Sequence, residues 1–151
     1  GETGAGKTRY CFDNYSKLYR KAPDTRWFDG YEGQDVLLMD DFAGRMSKMS
    51  LSYLLQLLDR YPVRVEIKGA YVPLLSTQIF ITTNIHPRDW YDYSRREEQY
   101  NALRRRIHHI AYYHDGGIET VDPVVFFRDY HLYTEVRSYG PYKDSDRVEG
   151  F

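Results

Sequence analysis

GETGAGKT, residues Gly1 to Thr8, matches the pattern G-x-x-x-x-G-K-[ST] at every fixed position. In a loop of this kind the glycines let backbone N–H groups curl around a phosphate, and the helix that follows adds partial positive charge. Lys7 is placed to reach the β and γ phosphates of a nucleotide, and the hydroxyl of Thr8 is placed to ligate Mg²⁺. The pattern therefore predicts a nucleotide-binding loop made of Gly1, Glu2, Thr3, Gly4, Ala5, Gly6, Lys7 and Thr8. A chance glycine-rich turn is the alternative, and a second feature is needed to exclude it.

Short apolar runs alternate with helix-like segments downstream of this loop. Val36-Leu37-Leu38-Met39 is too short for a helix and has no polar position, which is typical of a strand buried on both faces. Leucines spaced three and four residues apart predict an amphipathic helix over residues 50–59. By the same reasoning the sequence predicts a helix over 8–19, strands at 26–28, 79–83 and 107–113, a hairpin over 63–72, a turn starting at Pro87 and a charged helix over 95–104.

This alternation predicts the fold class. Apolar strands separated by helices indicate an α/β domain with three layers and a mostly parallel sheet, the architecture of P-loop NTPases of the AAA+-like kind. A phosphate loop normally follows a buried strand, yet the sequence begins at Gly1. We therefore expect the first strand of the sheet to be missing from this fragment and the fragment to fold poorly alone. Cooperative unfolding in urea with ordinary stability would contradict that expectation.

Two carboxylates and an amide stand where predicted strands end. Asp40 and Asp41 follow the buried run, and Asn84 follows the next apolar strand. Because the carboxyl ends of parallel strands meet at one edge of a sheet, we expect these side chains to converge on the nucleotide. Asp40 is the expected Mg²⁺ ligand together with Thr8, Asp41 is the expected general base, and Asn84 is expected to contact the γ-phosphate and the attacking water. A solvated acidic turn and an asparagine that merely ends a strand are the plainer alternatives.

The composition bounds the class of protein. With 42% apolar and 28% charged residues over 151 positions, the chain suits one soluble globular domain rather than a disordered segment. No stretch approaches the roughly 20 apolar residues that cross a bilayer, so we expect no membrane partner and no secretory leader. The single cysteine, Cys11, forms no internal disulfide and fits a reducing compartment. A net charge of -1 leaves any nucleic-acid binding dependent on local basic clusters.

Four further segments make the assignment more specific. They are WFDGYEGQDVLLMDDF (27–42), DRYPVRVEIKGAYVP (59–73), IFITTNIHPRDWY (79–91) and NALRRRI (101–107). Together with the phosphate loop, they resemble the superfamily 3 helicase domain of replication-associated (Rep) proteins from circoviruses and related circular single-stranded DNA viruses. The resemblance runs from Gly1 to about Tyr113. It is more specific than the loop alone, because WFDGY and HPRDWY have no role in generic nucleotide binding.

The resemblance implies a function and a set of motifs. Residues 1–8 correspond to Walker A, Asp40 and Asp41 to Walker B, and Asn84 to the sensor of motif C. The implied activity is that of the ATP-dependent DNA helicase portion of a viral rolling-circle replication initiator, with ATP and Mg²⁺ as cofactors. The implied assembly is a homo-hexameric ring that translocates on single-stranded DNA, and the implied location is the host nucleus.

A lysine at the tip of the predicted hairpin matches the family's DNA-gripping motif. Lys68 beside a glycine is a mobile point charge suited to a phosphate backbone. Tyr71 is able to stack a base beside it. The resemblance therefore implies that both residues bind DNA, whereas without it a solvated lysine in a turn would be the plainer interpretation.

The run Arg104-Arg105-Arg106 holds the expected arginine finger. Arginine stabilises the charge on a transferring phosphoryl group, and a neighbouring subunit can supply it in trans. The resemblance places the finger in this cluster, with Arg106 favoured and Arg105 second. Arg104 is expected on a solvated helix face or against DNA.

Two features limit the resemblance. The chain has no match to the endonuclease domain that normally precedes this domain in the family, so no nicking activity is expected of it. After Gly117 no family pattern is found, and we therefore divide the chain into a helicase domain, residues 1–115, and a C-terminal extension of unknown structure, residues 116–151. Two rival functions stay open: a superfamily 3 ATPase that acts on RNA, and a non-hydrolysing nucleic-acid-binding module.

Overall fold

The computed structural model describes Gly1 and residues 4–134 of the chain. The described helices are α1 (Lys7–Asn14), α2 (Leu51–Leu57), α3 (Glu97–Arg106) and α4 (Pro123–Arg128). The described strands are β1 (Leu18–Lys21), β2 (Val36–Met39), β3 (Arg64–Ile67), β4 (Ala70–Pro73), β5 (Gln78–Ile81), β6 (Ile110–His114) and β7 (Gly117–Val121). Single turns of 3-10 helix lie at Gly44–Ser47, Pro87–Asp89 and Tyr130–Leu132. None of the helices in these residues has the length and apolarity that a membrane span requires.

A parallel sheet of three strands, in the order β1-β2-β5, carries the fold. In its register Lys21, Met39 and Ile81 lie side by side at the carboxyl ends of the strands. The central strand β2 is buried at all four positions, as its apolar run predicts. The prediction of an α/β fold with a parallel sheet is confirmed, whereas the three-layer arrangement stays a prediction.

The main hydrophobic core joins the central sheet to α2, α3 and the loops between them. Ser50 caps α2, its side chain accepting a hydrogen bond of 3.2 Å from a backbone N–H of the first turn. Leu51, Leu54 and Leu57 of α2 are buried, and Leu103 of α3 packs in the same cluster. Each such leucine contributes about 1.5–3 kcal/mol to folding through burial. The predicted amphipathic helix is therefore confirmed.

Aromatic residues of two loop segments are part of this core. Phe28, Tyr31, Trp90 and Tyr91 are all buried. The Tyr31 hydroxyl accepts hydrogen bonds of 2.8 and 3.1 Å from two backbone N–H groups of the segment before β5. The Tyr91 hydroxyl donates to the backbone carbonyl of Met49 at 2.7 Å. These rings therefore fill the core, and the hydroxyls of Tyr31 and Tyr91 hold the segment before β5 and the segment before α2 in place.

Five other predicted elements are present. β3 and β4 form the predicted antiparallel hairpin, and Gly69 at its turn has a φ of 83°, a conformation that favours glycine. The predicted turn at Pro87 is a 3-10 turn. The charged helix is present as α3, two residues later than predicted, and the strand after it is present as β6, which begins three residues later than predicted. The strand predicted at 79–83 is β5, but it is only partly buried because it lies at an edge of the described sheet.

One predicted element is too long, and another is absent. The helix predicted over 8–19 ends at Asn14, and the chain forms β1 from Leu18 onward. Tyr19 and Lys21 of β1 are buried while Arg20 between them is exposed, which is the period of a strand. Because Lys21 is charged although it is buried, the sequence of β1 does not alternate between apolar and polar residues, and the strand cannot be recognised from it. The strand predicted at 26–28 is absent, because this segment contributes a single backbone hydrogen bond to β3 rather than a ladder.

The described part of the predicted C-terminal extension is regular. β6 and β7 pair antiparallel around a turn at Asp115 and Gly116, so the predicted division after residue 115 falls inside a hairpin turn. Asp122 caps α4 by accepting hydrogen bonds of 2.9 and 3.3 Å from backbone N–H groups of its first turn. Phe126 and Phe127 of α4 are buried in a second apolar cluster. Residues 135–151 lie outside the described residues, and the division into two domains stays a prediction.

Candidate active site

The phosphate loop leads directly into α1. Gly4 and Gly6 have φ of 82° and 95°, a backbone region that glycine adopts without strain. Gly6 is also the N-cap of α1 and has no side chain to take up the amide donors of the first turn. These donors and the positive end of the helix dipole suit a bound phosphate. Of the eight predicted loop residues, Glu2 and Thr3 lie outside the described residues.

Lys7 connects the loop to the segment after β5. Its ammonium group donates to the carbonyl of Gly1 at 2.8 Å and to Oδ1 of Asn84 at 2.9 Å. The backbone nitrogen of Gly1 lies 3.3 Å from the carbonyl oxygen of Thr83. The phosphate loop and Asn84, 77 positions from Lys7 along the chain, therefore lie in contact.

Asp40 is the buried carboxylate of the site. Thr8 donates from Oγ1 to Asp40 Oδ1 at 2.5 Å, and Thr82 donates to the same oxygen at 2.8 Å. Arg20 of β1 forms a hydrogen-bonded ion pair with the other carboxylate oxygen. Burial raises the pKa of Asp40, but these hydrogen bonds and the charge of Arg20 together hold its pKa below the ordinary value. The carboxylate is therefore ionised at neutral pH.

Asp41 stands beside Asp40 but faces solvent. Its φ is 52°, so the backbone turns through the left-handed region directly after β2. The backbone N–H of Asp41 donates to Thr82 Oγ1 at 2.8 Å, which holds this turn. Asn84 Nδ2 lies 3.4 Å from Asp41 Oδ1. The turn thus points one carboxylate inward to Thr8 and the next outward to Asn84.

These contacts bring five predicted residues together in one site. Two of them come from the phosphate loop and three from the ends of strands: Lys7, Thr8, Asp40, Asp41 and Asn84. Neighbouring oxygen ligands of an octahedral Mg²⁺ lie about 3 Å apart, because each sits about 2.0–2.1 Å from the ion. The oxygens of Thr8 and Asp40 are 2.5 Å apart, so both can ligate one ion after a small outward shift. In the described residues no group of three or more His, Cys, Asp or Glu side chains is arranged to hold a metal. Two protein ligands, with phosphate oxygens and waters completing the shell, are the usual arrangement for Mg²⁺ in ATPases, and the site fits it.

Comparison with known proteins gives the family. A family model described as RNA helicase matches residues 1–85, more than half of the 151-residue chain. The chain belongs to this RNA helicase family. The match includes the phosphate loop, both aspartates and Asn84, and it ends directly after them.

Relatives of this helicase domain include three proteins named Replication-associated protein, from Goose circovirus, Porcine circovirus 1 and Porcine circovirus 2. The goose protein is 42% identical over 107 residues, which cover 71% of this chain and 34% of that protein. The two porcine proteins are 37% and 39% identical over 124 residues, which cover 81% of this chain and 38% of each protein. The resemblance to circovirus Rep proteins is confirmed. The chain spans only about a third to two fifths of the length of these relatives.

Arg20 and Thr82 also lie in the candidate site, where both contact Asp40, and the sequence does not single them out. Arg20 lies in the stretch for which the sequence predicts a helix, so its position beside β2 follows only from the parallel pairing of β1 with β2. Thr82 lies one residue beyond β5 and bridges Asp40 to the backbone of Asp41. A hydroxyl at the carboxyl end of a strand next to β2 is the signal that could have identified Thr82.

The three arginines of α3 have different surroundings. Arg106 donates to Asp59 Oδ2 at 3.3 Å and to the carbonyl of Ala102 at 3.0 Å, so it is held within its own chain. Arg105 is exposed. Arg104 lies over the ring of Phe127, with its guanidinium carbon 5.5 Å from the ring centre. The resemblance implies an arginine finger in this cluster, with Arg106 favoured and Arg105 second; in the structure Arg106 is paired and Arg105 is exposed.

Lys68 and Tyr71 lie at the exposed end of the β3–β4 hairpin. The backbone N–H of Lys68 donates to the Asp29 carboxylate at 2.8 Å, which fixes the turn and leaves the lysine side chain exposed. The Tyr71 ring is 62% exposed, and its hydroxyl lies 3.4 Å from Glu66 Oε1. Both side chains are therefore accessible to a nucleic acid.

Replacing Asp40 with asparagine should change how stability depends on pH. Because the folded-state pKa of Asp40 is depressed, its ionised form contributes stability above the ordinary pKa of 3.8. That contribution is lost as the pH falls through the folded-state pKa. We expect the variant to be less stable than the wild type by about 1–2 kcal/mol at neutral pH, and the difference to shrink below about pH 4.

Urea melts of both proteins across this pH range measure the effect. The matched control is Asp13→Asn, which changes an exposed aspartate of α1. A stability difference between wild type and Asp40→Asn that stays constant down to the acid limit would contradict the depressed pKa.

Proposed function

We propose that this chain is the ATP-hydrolysing DNA helicase portion of a viral rolling-circle replication initiator. The observation that carries the proposal is the contact of Lys7 with Asn84 and of Thr8 with Asp40, which joins the loop to the ends of two strands. The family match and the Rep relatives support a helicase. ATP hydrolysis, translocation and DNA as the substrate are the parts that we propose.

Each residue of the site has a separate role in the proposed hydrolysis. When bound, Mg²⁺·ATP supplies the phosphoryl group and a metal that neutralises charge on its oxygens. Thr8 and Asp40 would hold the metal, and Lys7 would bind the phosphates. Asp41 accepts a proton from the attacking water, and Asn84 orients that water beside the Asp41 carboxylate. Lys7 contacts Asn84 directly, so binding of the phosphates and placement of the water are coupled.

The same proposal includes an assembly and a partner. We propose a homo-hexameric ring on single-stranded DNA, with an arginine finger supplied in trans, at work in the host nucleus. The exposed arginine of α3 and the exposed hairpin with Lys68 support the ring and the DNA contact, respectively. An exposed finger can reach a neighbouring phosphate site only if subunits assemble.

ATP hydrolysis and duplex unwinding, measured with DNA and with RNA, test the proposal. We expect single-stranded DNA to stimulate hydrolysis more than RNA of the same length and sequence. The Lys7→Ala variant should lose both hydrolysis and unwinding, because it lacks the charge that binds the phosphates. Full unwinding by Lys7→Ala would instead favour a non-hydrolysing nucleic-acid-binding module.

RNA is the second candidate substrate. The description of the family model, RNA helicase, favours it, whereas the name of the relatives, Replication-associated protein, favours a role in genome copying. Stronger stimulation of hydrolysis by RNA than by DNA would select this candidate.

The Lys68→Ala variant should weaken binding to single-stranded DNA and lower its salt dependence. Each lysine–phosphate contact releases a counterion, so losing one contact reduces the slope of log affinity against log salt by about 0.7 for a single strand. Fluorescence anisotropy over a range of salt concentrations measures this slope. Lys17→Ala, which removes an exposed lysine between α1 and β1, is the matched control. A slope that is unchanged in Lys68→Ala would place the DNA contact elsewhere.

A further inference from the structure

A cavity of about 250 Å³ lies beside the phosphate loop, and the nucleotide site described above does not use it. Gly4 and Ala5 of the loop form one wall. The opposite wall is the turn of the β6–β7 hairpin, with Tyr113, Asp115 and Ile118 among its residues. The cavity therefore joins the phosphate loop to a hairpin that the family match, residues 1–85, does not reach.

The hairpin is packed tightly against the start of the loop. A Cβ atom added to Gly1 would lie 2.3 Å from the carbonyl oxygen and 2.7 Å from the Cβ of Tyr113. Tyr113 is buried, and its neighbours include Cys11 of α1. The backbone of β6 thus touches the backbone of the phosphate loop, which fixes the two walls of the cavity relative to each other.

Ile118 is an apolar side chain whose exposure the fold does not account for. It pairs with Tyr113 across the hairpin, and directly paired residues of antiparallel strands project from the same face. Ile118 therefore lies on the face that meets the phosphate loop. It is 64% exposed there, although it lines the cavity. A flat apolar ligand in the cavity would cover it.

We propose that this cavity binds the base of the nucleoside triphosphate whose phosphates lie on the loop. This inference rests on the proposed function and adds the subsite for the base. Ile118 packs against one face of the ring, and the exposed carboxylate of Asp115 accepts a hydrogen bond from an amino group on its edge. Gly4 and Ala5 form the opposite wall with backbone and a single methyl group, which leaves room for the ring.

The size of the cavity agrees with a base rather than a whole nucleotide. Pockets for drug-sized ligands measure roughly 300–1,000 Å³, and this cavity is smaller. The phosphates need no part of it, because the glycine loop and the start of α1 already provide amide donors and positive charge for them. The phosphates would therefore lie on the loop, and the base would lie in the cavity against the hairpin.

The turn that carries Asp115 is held in place by its own contacts. The backbone N–H of Gly116 donates to His114 Nδ1 at 3.0 Å. The His114 ring stacks on Tyr112 with ring centres 5.3 Å apart, and its Nε2 lies 3.8 Å from the Glu119 carboxylate. The base subsite is therefore formed by a fixed turn before any ligand binds.

Calorimetric titration with ATP and with inorganic tripolyphosphate, both with Mg²⁺, tests the base subsite. Tripolyphosphate carries the phosphates without a base, so it reports on the loop alone. We expect Ile118→Ser to weaken ATP binding by about five- to tenfold, because an apolar contact with the ring is lost, and to leave tripolyphosphate binding unchanged. Val124→Ser is the matched control, since Val124 of α4 is 63% exposed and does not line the cavity.

The possible results distinguish a wrong base subsite from a wrong nucleotide site. If ATP binds to Ile118→Ser as tightly as to the wild type, or if both probes weaken equally, the base does not lie in the cavity. If tripolyphosphate binds to the wild type as tightly as ATP does, the base makes no contact and only the subsite is rejected. If the wild type binds neither probe, the nucleotide site itself is rejected, and the base subsite with it.

Discussion

Asp41→Asn should bind ATP like the wild type and hydrolyse it about 10²–10⁴-fold more slowly, because it lacks the carboxylate that we propose as the general base for the attacking water. The amide keeps the size and the hydrogen-bonding oxygen of the carboxylate but is not basic. Single-turnover hydrolysis with saturating Mg²⁺·ATP measures the rate, and an equilibrium titration with a non-hydrolysable analogue measures binding.

The structure explains why this substitution should spare the fold. Asp41 is exposed, and its backbone is in the left-handed region that asparagine also adopts readily. The turn is held by the backbone N–H of Asp41 on Thr82 Oγ1, which the substitution leaves in place. Asp35→Asn is the matched control, because it changes an exposed aspartate at the opposite end of β2. Normal turnover by Asp41→Asn would remove Asp41 from the mechanism, and the exposed carboxylate would then be a solvated turn residue.

The residues that converge on the phosphate loop are predictable because each follows from a local pattern. The glycines of the loop, the four apolar residues of β2 and the strand before Asn84 can each be identified within about ten residues. Parallel strands place their carboxyl ends at one edge, so the contact of Thr8 with Asp40 follows from the fold class. The contact of Lys7 with Asn84 follows for the same reason.

β1 and its ion pair are not predictable in this way. A strand of four residues that includes Arg20 and Lys21 lacks the apolar alternation on which strand prediction rests. Its buried face depends on Lys21, which donates to the carbonyl of Ala22 at 3.0 Å and lies over the ring of Phe28. Burial lowers the pKa of Lys21 to about 8. Only the three-dimensional surroundings reveal that a lysine can hold a core position here.

α4 could have been predicted, but its packing could not. An aspartate followed by proline is a common start of a helix, with the aspartate as the N-cap and the proline as the first helical residue. In the structure Asp122 and Pro123 occupy these two positions. The contact that fixes α4 joins distant parts of the chain: the ring of His86 stacks on Phe126 with centres 4.2 Å apart, and His86 Nε2 lies 3.1 Å from the Phe126 carbonyl. His86 lies two positions after Asn84, so the C-terminal helix packs directly against the segment that carries the predicted sensor.

Arg105→Ala should reduce ATP hydrolysis by about 10³–10⁵-fold if Arg105 is the arginine finger that we propose, since a finger contributes that factor to phosphoryl transfer. The prediction depends on the difference between neighbouring arginines. Arg105 is exposed, whereas Arg106 is paired with Asp59. Arg106→Ala should retain hydrolysis and lose little stability, since both partners of the pair are partly exposed. Steady-state hydrolysis and thermal melts of both variants measure these effects.

Mixing two inactive variants tests whether the finger acts in trans. An Arg105→Ala subunit retains Lys7 and an intact phosphate loop, while a Lys7→Ala subunit retains Arg105. In a mixed ring, an interface between the loop of the first and the arginine of the second has every group that hydrolysis needs, so activity should return on mixing. If Arg105 acts within its own chain, no interface in the mixture is complete and activity stays absent. If Arg106→Ala is the inactive variant and keeps its stability, the Arg106–Asp59 pair must open on assembly, and Arg106 is the finger.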